Sequence, residues 1–97
     1  MQEAIRQIIE PISVGYIFDS HFVIDCLIRQ NTNAYFDFVR ANPNANVNHI
    51  HGHIAKIISR QQDLVRQVEG KSWSINIHGV ASDCAAWRRI RAIKQTE

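Results

Sequence analysis

NVNHIHGHIAKIISRQQDLVRQVEGKSWSINIH, residues Asn46–His78, is the stretch on which the fold turns. In its first half Ile50, Ile54, Ile57 and Ile58 recur at helical spacing. In its second half Trp73, Ile75 and Ile77 alternate with Ser74, Asn76 and His78. An apolar period that switches from 3.6 to 2 within a few residues predicts a helix running into a β-hairpin. The hairpin is expected over residues 64–78, with DLVRQV as one arm, EGK as its tip and SWSINIH as the other arm. Trp73 is expected to anchor it to the core.

Upstream, QEAIRQIIEPI places Ile5, Ile8, Ile9 and Ile12 on one stripe, which predicts a helix over residues 2–10 ended near Pro11. SVGYIF alternates Val14, Tyr16 and Phe18 and reads as a short strand or an extended connector. Asp19 or Ser20 can cap the next helix, in which Val23, Ile24, Leu27 and Ile28 form a broad apolar face and Asp25 and Arg29 an i,i+4 pair. A further helix, AYFDFVRA, stops at the turn NPNAN, after which Asn46 or Asn48 can cap the central helix. Downstream of the hairpin, CAAWRRIRAIK reads as a C-terminal helix over 83–94, with Ala86, Trp87, Ile90 and Ile93 inward and Arg88 and Arg91 outward. The whole is expected to be one domain, residues 1–97, with a helical core over 20–60.

The 97 residues, 45% hydrophobic and 21% charged, fall in the globular class. No apolar run approaches the roughly 18–20 residues of a membrane span. The opening MQEAIRQIIEPIS lacks the basic start and apolar core of a secretory signal, so a cytoplasmic location and no membrane partner are expected. Cys26 and Cys84 lack metal-pair spacing, and two buried thiols are expected rather than a disulfide. The net charge of +2 says little, but its distribution says more. Residues 1–42 carry three Lys/Arg against five Asp/Glu, and residues 43–97 carry eight against four. A basic second half suits a surface that meets phosphate.

With the isoleucines inward, 100° per residue sends Asn48, Gly52, Ala55, Lys56 and Ser59 outward, with His49 near the edge. Glycine inside a helix costs about 1 kcal/mol relative to alanine, so Gly52 suggests a close approach to the backbone. A DNA major groove is one candidate, because small residues let a helix sit deep while Asn, Ser and Lys read base edges. Lys56 and Arg60 would meet phosphates or guanine edges, and Arg66 and Lys71 the sugar-phosphate backbone. The same stripe would equally admit a neighbouring helix or a second subunit.

Catalytic constellations are absent: there is no P-loop, no GxGxxG and no CxxC. The consecutive Asp19, Ser20 and His21 cannot form a nucleophile relay by adjacency. His49 and His53 stand i,i+4 and could chelate zinc, but the run is HIHGH, with no carboxylate between the two and no supporting ligand motif. No enzyme activity, metal or other cofactor is expected.

The order of elements resembles the winged helix-turn-helix family. The correspondence runs through a buried helix (Ser20–Gln30), a second helix (Thr32–Ala41), a turn (Asn42–Ala45), a candidate recognition helix (Val47–Arg60) and a wing (Leu64–His78). It covers about two thirds of the chain and rests on architecture alone. The resemblance implies an α+β fold, mainly helical, with a β-hairpin and flanking terminal helices. It also implies recognition-helix roles for Asn48, Gly52, Lys56 and Ser59 and wing roles for Lys71 and Arg66. Two features depart from the family's pattern: NTN leaves no room for the short strand that often separates its first two helices, and the turn before the central helix is long. The function expected is non-catalytic binding of double-stranded DNA by a small transcriptional regulator. A homodimer is expected, joined through the N-terminal helix (Ile5, Ile8, Ile9) or the C-terminal one. The alternative is a protein-protein interaction or assembly domain, and a third possibility is a metal-dependent protein built on His49, His53 and a third ligand, with His78 and Cys84 able to join in space.

Overall fold

A computed structural model describes residues 1–91 and has an α+β architecture of four helices and two small antiparallel sheets. In chain order the elements are α1 (Gln2–Ile9), β1 (Ile17–Asp19), α2 (Ser20–Gln30), α3 (Thr32–Ala41), α4 (Val47–Ser59), β2 (Val65–Gln67), β3 (Ser72–Ile75), β4 (Ala81–Cys84) and β5 (Ala86–Arg89).

The helices follow the local signals. Asp19 caps α2 by accepting the Phe22 N–H, and Asn46 caps α4 by accepting the His49 N–H. Asp25 and Arg29 pair at 3.2 Å on the outer face of α2. The apolar stripes of α1, α2 and α4 meet in one core built on Ile5, Ile9, Val23, Leu27, Ile54 and Ile58. Both cysteines are free. Among the described residues no helix is long and apolar enough to cross a membrane.

The strands depart from expectation. β2 does not pair with β3: it pairs with β5, with Val65 opposite Arg89 and Gln67 opposite Trp87. β3 pairs with β4 instead, with Ser72 opposite Cys84 and Ile75 opposite Ala81. The hairpin expected over 64–78 is therefore one arm of a longer ribbon. EGK is a bulge in that arm, where residues 68–71 oppose only 85 and 86. The true tip is Asn76–Val80, where Asn76 Oδ1 accepts the N–H groups of His78 and Val80, and Gly79 takes a φ of +77°.

The C-terminal helix expected over 83–94 is also corrected, because residues 81–84 and 86–89 are strands. Ile93 and Lys94, assigned to that helix, lie outside the described residues. The reason is non-local. β5 is the central strand of the sheet β1–β5–β2, so its backbone is hydrogen-bonded on both sides, which outweighs the helix preference of its Ala and Arg residues. Trp87 is fully buried on that strand, 5.9 Å from the Phe18 ring, and donates its indole N–H to Ser59 Oγ. Arg89 is buried as well. Its guanidinium donates to the carbonyls of Ile9 and Glu10, which satisfies the C-terminal end of α1, and also to that of Ile90.

Candidate functional site

Burying Ile50, Ile54 and Ile58 leaves Asn48, His49, Gly52, His53, Lys56 and Arg60 exposed along α4. A Cβ added at Gly52 would meet no heavy atom within 4 Å, so none of the described residues packs against the helix there. Ser59 is different: it is half-buried and holds the Trp87 indole. On one flank, Asn48, His49, Gly52, His53 and Lys56 form with the loop 41–45 a shallow cleft of about 690 Å³. On the other, Asn48, His51, Gly52 and Ala55 face the β3–β4 hairpin across a groove of about 310 Å³. Lys71, Asn76 and His78 supply the far wall, with Ser20 and His21 between.

The hairpin lies against the body with its polar side inward. Ser72 and Ser74 donate to Asp19 Oδ2 at 2.9 and 2.7 Å. Ser74 Oγ also contacts His21 Nδ1 at 2.8 Å, and Ser82 Oγ contacts His21 Nε2 at 3.3 Å. Burial works to raise the Asp19 pKa, but the Phe22 N–H and the two serine hydroxyls outweigh it and hold the carboxyl below its ordinary 3.8. The apolar side of the hairpin faces away from the body: Trp73 is 72% exposed and Ile75 62%. Trp73 thus does not anchor the hairpin, and Trp87 is the buried tryptophan.

A second polar pair supports α4 from below. Tyr35 Oη and His51 Nε2 lie 3.0 Å apart. Burial, with His78 and His21 nearby, pushes the His51 pKa below its usual 6.5 and favours a neutral ring.

Of the expected DNA-contacting residues, Asn48, Gly52 and Lys71 line one groove, whereas His49 and Lys56 lie on the opposite flank of α4. Arg60 is exposed at the C-cap of the helix. Arg66 sits apart, beside Ser59 and Trp87, and donates to the carbonyls of Gln62 and Val65. His49 and His53 have no third metal-ligand side chain close by among the described residues. The close grouping of Asp19, His21 and Cys84 was not foreseen, because Cys84 is more than sixty residues of chain from the other two. The one available signal was the serine alternation in SWSIN, which marks a polar face without saying which way it turns.

No protein-family model, curated protein or solved structure matches this chain.

Proposed function

We propose that this protein binds double-stranded DNA without catalysing a reaction, as a small regulator of winged helix-turn-helix type. α4 would enter the major groove and the β3–β4 hairpin would act as the wing. The observation that carries the reading is the open ridge of α4 at Asn48, Gly52 and Lys56, which stands beside a hairpin bearing Lys71. Phosphate contacts from Lys56, Arg60 and Lys71 would set the docking, and Asn48 is suited to an adenine edge.

SVGYIF supplies a strand, β1, but it precedes α2 rather than separating α2 from α3, and it joins β5 and β2 in one sheet. Ser59 leaves the set of base-reading candidates, since its hydroxyl already accepts the Trp87 indole N–H.

DNA retention as a function of salt tests the proposal. Binding should weaken steeply with ionic strength, and Lys56→Ala and Lys71→Ala should each reduce the salt slope by about one. Retention that ignores salt and both lysines would overturn it.

The assembly reading is favoured by one observation, the exposed apolar side of the hairpin with Trp73, Ile75 and Val80. Ile5, Ile8 and Ile9 are buried in this chain's own core, so a homodimer would have to use another face. A stable oligomer that has no DNA affinity and that Trp73→Ser dissociates would favour assembly.

A further inference from the structure

We propose that Asp19, His21 and Cys84 form a binding site for one zinc-class transition-metal ion, which pins the hairpin to the start of α2. One carboxylate oxygen, one imidazole nitrogen and the thiol sulfur all lie within 4.8 Å of one another. Zinc bonds of about 2.0–2.3 Å are reached by a modest contraction of that triangle.

The chemistry of the three donors fits. Asp19 and a deprotonated Cys84 bring two negative charges to a dication, so the loaded cluster is neutral. Binding breaks the Cys84 S–H bond and releases that proton to solvent, with no change of oxidation state. Thiolate and imidazole together select zinc or cobalt over magnesium or calcium.

The surroundings carry the inference beyond proximity. Cys84 is buried but stands outside the apolar core, whereas Cys26 packs against it. A supporting shell is already present. Ser72 and Ser74 orient the Asp19 carboxylate, and Ser74 holds His21 Nδ1 at 2.8 Å. Each ring nitrogen of His21 has a serine partner, so one can turn to a metal while the other stays oriented. His21 and Cys84 also line an open groove, so water can take the fourth position. None of its three donors is among the residues proposed to meet DNA, although the groove they border also holds Asn48, Gly52 and Lys71.

Cobalt(II) titration of the full chain tests it. The expected result is a thiolate-to-cobalt charge-transfer band that saturates at one equivalent and is displaced by zinc. Cys84→Ala should abolish the band and His21→Ala should weaken it, while Cys26→Ala leaves it unchanged. Zinc should raise the melting temperature of the natural chain and not that of Cys84→Ala. Absence of the band in the natural chain would overturn the proposal, whatever the variants do. So would a band that survives Cys84→Ala or is lost in Cys26→Ala.

Discussion

The two halves of the β2–β5 ribbon are held to the molecule by opposite means. The inner half, β2 with β5, is bonded into a three-stranded sheet and buries Val65 and Trp87 in the core. The outer half, β3 with β4, turns Ser72, Ser74 and Ser82 toward α2 and leaves Trp73 and Ile75 in solvent. Hydrophobic burial is non-directional and insensitive to pH, whereas a carboxylate held by serine hydroxyls is directional and titratable. One ribbon therefore has a fixed base and a conditional end, with the bulge at 68–71 between them.

The largest expected effect lies in the base. Trp87→Ala should cost about 3–5 kcal/mol in denaturant unfolding, since it empties a fully buried site and orphans the Ser59 contact. Asp19→Ala should cost about 2 kcal/mol through loss of the α2 cap and of the two serine bonds. In that variant, exchange of the Ser72–Cys84 amides should accelerate more than that of the β5 amides. Equal acceleration in both halves would break the contrast.

Acid should loosen the outer half by the same route. The folded pKa of Asp19 lies below its ordinary value, so its contribution is complete above pH 3.8 and is lost as pH falls through the depressed value. Asp19→Asn should flatten that limb. Asp63, held low chiefly by its hydrogen bond to Arg6, titrates in the same direction and should remain in the variant.

A smaller limb belongs to His51. Its folded pKa is also depressed, so the neutral ring costs nothing above 6.5 and stability declines as pH falls through the lowered value. His51→Gln should remove this limb from a melting-temperature profile. The smallest effect is expected of Trp73→Ala, within about 0.5 kcal/mol, because the ring is 72% exposed. A large loss there would mean that the outer face of the hairpin is covered in solution.

The candidate site was legible only where it is helical. The exposure of Asn48, Gly52 and Lys56 follows from the isoleucine stripe of one helix. Lys71 was assigned to a hairpin tip, yet it faces the groove from the side of a bulged arm. The Asp19–His21–Cys84 group could not be read, since no local spacing joins the start of α2 to β4.

What the sequence determined by itself is the four helices, because caps such as Asp19 and Asn46 and stripes of isoleucine act within a few residues of chain. What only the tertiary structure decided is the strand pairing and the direction in which each hairpin face points. CAAWRRI has the composition of a helix and becomes a central strand because β1 and β2 supply backbone partners on both sides. EGK has the look of a tip and becomes a bulge because the second arm arrives later, after Gly79. Those outcomes rest on hydrogen bonds and burial between distant segments, which no local pattern encodes.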